Sequence, residues 1–255
     1  MVYAGFDTSG YPGDFSMKSI WDNTELMWCG FYLGPRFNWS PHFARIKNMG
    51  WGVAPIYTGK QPGSSPKLHA IHNRHAADRK ALQSALWGNG ALDGKEAADQ
   101  ARASSIPLNT ILYFDVENTV PDSDWLEYYR GWSRAVVDRN FRVGLYTRHD
   151  HAVWVMSKLM SGSLSRPSDI CMPAIWIAKY TRANANGASI PARDYLEDPL
   201  PVPDPRRVYP GASVLQHLGN FGLKWTDSGH LRKFSPVDYD SSIDPDPGLG
   251  LPSPR

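Results

Sequence analysis

Short apolar runs alternate with longer amphipathic stretches along the chain, a pattern that predicts a parallel α/β fold. Runs at Tyr3–Phe6, Met27–Leu33, Gly52–Tyr57, Asn109–Val116, Arg142–Tyr146, Pro173–Lys179, Ser213–His217 and Val237–Asp240 read as strands. Between them, helices are predicted at Met17–Asn23, Leu92–Ala103, Asp124–Asn140 and His149–Met160. A further helix opens at Ser40-Pro41, with Ser as cap and Pro in the first turn, and stops at Gly50. Residues 58–91 read as a long irregular stretch, of a length that in compact domains is often functional. Residues 181–211, rich in Pro, Asn and Asp, give no helix for the seventh unit. Eight strands in unbroken succession predict a single (β/α)8 TIM-type barrel over residues 1–244, with an irregular seventh unit. A Pro/Gly-rich tail, 245–255, is expected to be loosely held.

The length of 255 residues suits one such barrel and can bury a large core without staples. A net charge of +2 gives no basic field of the kind nucleic acid requires. No apolar run reaches membrane-spanning length, and no charged-then-apolar export signal opens the chain. Cys29 and Cys171 sit in or beside apolar runs and read as inert thiols rather than a bridge. Ten Trp, twelve Tyr and nine Phe are more than a core of this size calls for. Flat rings suit either a large core or the stacking of sugar rings, and composition leaves both open.

Candidate chemistry lies where such barrels place it, at the C-terminal strand ends. Asp7 ends the first strand, Asp115 and Glu117 end the fourth, and Asp238 and Asp240 lie on the eighth. Closure makes the first and eighth strands neighbours and sets the fourth across from them. On a strand, Asp115 and Glu117 share one face while Phe114 and Val116 take the other. Two carboxyls so close do not both ionise freely, so one must rise in pKa. A protonated carboxyl can serve a glycosidic oxygen as general acid while its charged partner stabilises an oxocarbenium-like transition state. The alternative is an ordinary strand end with capping or paired carboxylates.

These motifs carry a resemblance. Ala4-Gly5-Phe6-Asp7-Thr8-Ser9, Phe114-Asp115-Val116-Glu117, Pro173-Ala174-Ile175-Trp176-Ile177-Ala178-Lys179-Tyr180, Gln216 and Val237-Asp238-Tyr239-Asp240 resemble strands of glycoside hydrolase family 25, the lysozyme-type muramidases. Phe31-Tyr32-Leu33-Gly34-Pro35, Gly52-Val53-Ala54-Pro55-Ile56-Tyr57, Asp93-Gly94-Lys95-Glu96-Ala97-Ala98 and Gly144-Leu145-Tyr146-Thr147 are similar to a related glycoside-hydrolase-like domain of unknown function, number 1906. The resemblance spans nearly the whole chain. It implies a barrel acting on cell-wall polysaccharide, or descended from enzymes that do. By position, Glu117 corresponds to the general acid, Asp115 to the residue that assists the substrate or stabilises charge, and Asp7 and Asp238 to flanking carboxylates. Two departures stand out: Asp240 replaces an Asn, and Tyr32-Leu33 replace a Lys-bearing segment.

Tyr57, Tyr146 and Trp176, from three different strands, are expected to wall the mouth, with Tyr32, Tyr180, Gln216 and Asp240 as further substrate contacts. Barrel-core packing is the competing role for Trp176. His69, His72 and His75 read as a solvated loop, so neither metal nor cofactor is expected. The expected partner is a polysaccharide met by a monomer at the bacterial cell wall, with no nucleic-acid or membrane contact. A non-catalytic carbohydrate-binding barrel remains the alternative. An amidase or phosphodiesterase is disfavoured by the lack of G-x-S-x-G, H-E-x-x-H and P-loop patterns.

Overall fold

The computed structural model describes residues 1–59, 70–71, 73–74, 78–117, 120–161, 171–179, 195–196 and 202–249. The strands are β1 (Tyr3–Asp7), β2 (Leu26–Tyr32), β3 (Gly52–Tyr57), β4 (Ile111–Asp115), β5 (Arg142–Arg148), β6 (Ala174–Ala178), the short β7 (Tyr195–Leu196), β8 (Ala212–Asp227) and β9 (His230–Ser242). The helices are α1 (Asp14–Asn23), α2 (Phe43–Met49), α3 (Arg79–Ala103), α4 (Ser123–Val137) and α5 (His149–Met160). Strands β1 to β6 pair in order, β6 pairs with β8, and β9 joins β8 back to β1. The result is the closed eight-stranded barrel the pattern implied, jacketed by helices. The parallel reading holds for seven of its strands; the last, β9, runs antiparallel to both neighbours.

The reason is local. Asp227 and His230 pair across Ser228 and Gly229, both at positive φ (49° and 78°), so β8 and β9 form one hairpin joined by a two-residue turn. No crossover helix intervenes, and the strand must reverse. The hairpin extends past the barrel and is pinned to α1: Trp225 Nε1 donates to Ser19 Oγ (2.8 Å), which donates to Asp227 Oδ2 (2.8 Å).

Two apolar layers hold the fold. Inside the barrel, Trp176 meets Trp28, Tyr113 and Tyr146 at centroid distances of 5.5, 5.3 and 4.9 Å. Glycines make room for these rings: a Cβ on Gly5 would lie 2.2 Å from the Trp28 ring, and one on Gly144 would lie 2.4 Å from Tyr113. Outside, Phe114 stacks on Trp132 at 4.9 Å and on Trp125 at 6.5 Å beneath α4. Trp28, Trp39, Trp51, Trp125, Trp132 and Trp176 are all fully buried, so the aromatic excess is largely core.

Helix α3 begins thirteen residues before the predicted Leu92, at Arg79, where the Asp78 side chain caps it by accepting from Ala81 N at 3.0 Å. Its early part, Trp87-Gly88-Asn89-Gly90, reads as irregular because glycine disfavours a helix. Packing explains part of that composition. Gly90 and Gly94 in α3 and Gly131 in α4 meet backbone of the facing helix: a Cβ on Gly90 would stand 1.9 Å from Tyr128 O, and one on Gly131 would stand 2.0 Å from Trp87 O. Ser40 sits in a 3-10 turn, Ser40–His42, and makes no cap to α2; Gly50 ends α2 at φ 107° as expected.

At the lower end of the barrel, residues 244–249 are held in place. Asp246 accepts from Val53 N (2.9 Å) and Lys47 Nζ (2.5 Å), and Gly248 O accepts from Ile111 N (2.6 Å). The rest of the expected tail, and His69, His72 and His75, lie outside the described residues.

Candidate functional site

Strand direction brings the acids together. Asp7, at the upper end of β1, pairs in register with Asp238. Because β9 descends from the mouth, Asp238 is near the rim and Asp240 is one pleat deeper, opposite Gly5. Across the barrel, Asp115 ends β4 beside Tyr146 of β5. Inward alternation puts Tyr113 in the interior layer, while Phe114 and Val116 join the helix-facing layer.

A hydrogen-bonded chain spans the interior beneath the rim. Tyr32 Oη donates to Asp7 Oδ1 at 2.7 Å. Gln216 Nε2 donates to Asp238 Oδ2 at 2.7 Å and to Asp7 Oδ2 at 3.3 Å. Both neighbours of the Gln216 NH2 group are carboxyls, so the amide orientation is chemically fixed. Its Oε1 therefore faces Tyr146, whose hydroxyl donates to it at 2.7 Å. The same hydroxyl lies 3.4 Å from Glu117 Oε2, so Glu117 joins the chain at the rim.

Asp115 Oδ1 accepts from the backbone N of Glu117 at 3.1 Å, the local bond of a tight turn. Although Asp115 is only half-buried, its surroundings are low in water, and burial pushes its carboxyl up to about 7. The Glu117 N–H and the Arg36 cation oppose that rise, and the Glu117 charge adds to it. Burial also lifts Asp7 well above the carboxylate range, helped by the charge of Asp238 and resisted by the Tyr32 hydrogen bond. Asp240 is raised in the same way, by burial and then by Asp7 and Asp238. The hydroxyls of Tyr32 and Tyr146 are pushed up by burial and by these acids, so both stay protonated donors.

The expected substrate contacts divide by exposure. Glu117, Asp115, Asp238 and Tyr32 remain partly open to solvent. Asp7, Gln216, Asp240, Tyr146 and Trp176 are buried beneath the rim. The wall of rings expected at the mouth is corrected accordingly. Trp176 and Tyr146 pack inside the barrel, and Tyr57 takes the outward phase of β3. Its ring lies 6.4 Å from Trp132, and its hydroxyl donates to Glu96 at 3.3 Å. Tyr180 lies outside the described residues. Sequence reasoning missed Arg36 and Phe37. Arg36, just past β2, bonds Thr58, covers the Phe37 ring at 4.7 Å, and acts electrostatically on Asp115; Phe37 in turn packs on Tyr32 at 5.0 Å. Their signal was position: they follow Gly34-Pro35 at the upper end of a barrel strand.

Among the described residues no group of three or more His, Cys, Asp or Glu side chains has the arrangement of a metal site. A cavity of about 820 Å³ opens at the lower end, lined by Asn109, Arg142, Met172 and Asp244 among others, away from the acids.

A closed barrel with a carboxylate pair at its rim and a buried polar chain beneath defines a glycoside-hydrolase-like architecture. The chain belongs to the Rv2525c-like, glycoside hydrolase-like domain family, whose pattern matches residues 21–223. Comparison with curated proteins finds no match. Among solved structures, an uncharacterized B. stearothermophilus protein shares 17% identity over 97% of this chain and 99% of its own, with a TM-score of 0.60. The Mycobacterium tuberculosis Tat-secreted protein Rv2525c, solved in complex with HEPES, shares 12% identity over 96% and 98%, with a TM-score of 0.55. Both share the fold of this chain.

Proposed function

We propose that this protein is a glycoside hydrolase acting on bacterial cell-wall polysaccharide of the peptidoglycan type. The observation that carries the reading is the rim pair Asp115 and Glu117, on which burial keeps one proton up to about pH 7. The position of Glu117 in the motif that resembles the muramidases assigns that proton to Glu117 when substrate is bound. Glu117 then gives that proton to the glycosidic oxygen as the bond from the anomeric carbon breaks, and the bonding pair leaves with the oxygen. Asp115, ionised above about pH 7, faces the positive charge that develops at the sugar. Water adds to the sugar, completing hydrolysis and returning a proton to the site. Asp7 and Asp238 act through Gln216 and Tyr32, which they hold in place. The family description and the resemblance of the motifs to lysozyme-type muramidases support the substrate class.

The test is incubation of the protein and its Glu117→Gln variant with purified bacterial cell-wall glycans, with products followed by mass spectrometry. New reducing ends from the wild type alone are expected, with a rate loss of at least about 100-fold in the variant. Equal product from both would remove Glu117 from the role. Binding without product from either would favour a carbohydrate-binding barrel.

A further inference from the structure

Asp240 is the group in this site whose chemistry the reaction leaves unexplained. It is 0% exposed, and neither carboxyl oxygen has a hydrogen bond of ordinary geometry. The groups facing it are Asp7 and Gly5 on β1, Asp238 on its own strand, Gln216 on β8, and Trp176 on β6. The charges acting on it most strongly are the two acids, Asp7 and Asp238. The Trp176 indole N–H is likewise buried without an ordinary partner. An ionised Asp240 here would be a buried charge beside like charges, which is among the costliest arrangements in a protein interior.

Asp7, in contrast, is equipped as an acceptor. Its two oxygens already receive Tyr32 Oη and Gln216 Nε2. We propose that Asp240 is kept as a neutral carboxylic acid at neutral pH and serves as a hydrogen-bond donor to Asp7, fixing the Asp7 carboxyl in the orientation that holds Gln216 and Tyr32. Asp240 is then a positioning residue: it acts on the rim through Asp7, Gln216 and Tyr146, without meeting a ligand. A protonated carboxyl offers one O–H donor and one carbonyl acceptor, and the acceptor is available to Trp176 Nε1. The inference concerns a protonation state, so it stands or falls apart from turnover.

Infrared difference spectroscopy between the wild type and Asp240→Asn tests it directly. The expected result is a carboxylic C=O band in the wild type, constant from pH 5 to pH 8, shifted in D2O and missing from the variant. A carboxylate band in its place would overturn the proposal. Denaturant unfolding provides a second reading. The unfolded chain ionises Asp240 above about pH 4 while the folded chain does not. The folding constant of Asp240→Asn relative to wild type should therefore rise about tenfold per pH unit above that point. A ratio that stays flat with pH would equally overturn it. Should that variant not fold, Asp240→Glu, which keeps the acid, gives the comparison: a carboxylic band shifted from the wild-type frequency is expected, and an unshifted carboxylic band would overturn the proposal.

Discussion

Two glycines two residues apart in one helix should respond with opposite sign to the same substitution. Gly88 and Gly90 both lie inside α3. Alanine at Gly88 meets nothing within 4 Å, so the expected effect is the gain in helix propensity alone, about 1 kcal/mol of stabilisation. Alanine at Gly90 places Cβ 1.9 Å from Tyr128 O, where ordinary contact begins at 3.4 Å. The two helices must part by about 1.5 Å, with backbone on the far side and no rotamer to yield. Overpacking of this kind costs about 3 kcal/mol, and the propensity gain offsets about 1, leaving a net loss of about 2 kcal/mol. Gly131→Ala, from the other side of the same crossing, should behave like Gly90→Ala, and the double variant should cost less than the sum because one separation relieves both. Urea unfolding at fixed pH reads all four variants against the wild type, and the loss in Gly90→Ala corresponds to a fall in Tm of about 4–8 °C. Stabilisation by Gly90→Ala comparable to that of Gly88→Ala would refute the close crossing.

Other outcomes follow from the site. Asp115 retains a proton to about pH 7 in the folded chain, whereas the unfolded chain loses it near pH 4. The folded state therefore binds more protons in that window, and stability should fall as pH rises through it and level off above. Asp115→Asn should remove that slope, gaining about 2 kcal/mol at pH 8 once the rim's solvent is allowed for, and nothing at pH 4. Parallel urea curves across pH 4–8 check this, and a pH-independent difference would count against it. Trp176→Ala empties a fully buried site among three rings and should cost about 3–5 kcal/mol in denaturant unfolding. A variant of unchanged stability that had lost glycan binding would instead put the ring at the surface.

What the sequence reveals here depends on the range of the interaction. The strands are legible because each is a short apolar run, and Asp115 and Glu117 stand out because they follow the plainest of them. Facing is harder to read. Strand β3 is buried at every position, so its composition does not say which alternate residues enter the barrel, and Tyr57 takes the outward phase while Ala54 and Ile56 point in. The opening turns of α3 are hidden partly because Gly90, which weakens the helical reading, answers to a helix remote in sequence. The hairpin does carry a local sign, Asp227-Ser228-Gly229-His230, a two-residue turn between β-prone runs. The strands predicted at Ser213–His217 and Val237–Asp240 stop short of that turn on either side and so leave it out. The chain from Tyr32 and Asp238 through Asp7 to Glu117 joins six strands or strand ends, and no spacing along the sequence encodes it.

The reversed last strand has a consequence for how the molecule comes into being. Tyr3 pairs with Ser242 and Asp7 with Asp238, so the seam that closes the barrel joins the first strand to the last. Contacts of such long sequence separation are the slowest to form, because nearly the whole chain must be ordered before they are rewarded. During synthesis β1 emerges first and waits with one edge bare until β9 has left the ribosome. The acid cluster straddles that same seam. The site is thus assembled in the final step of folding, and a chain cut short before Asp238 has neither a shut barrel nor the carboxyl that completes the interior chain.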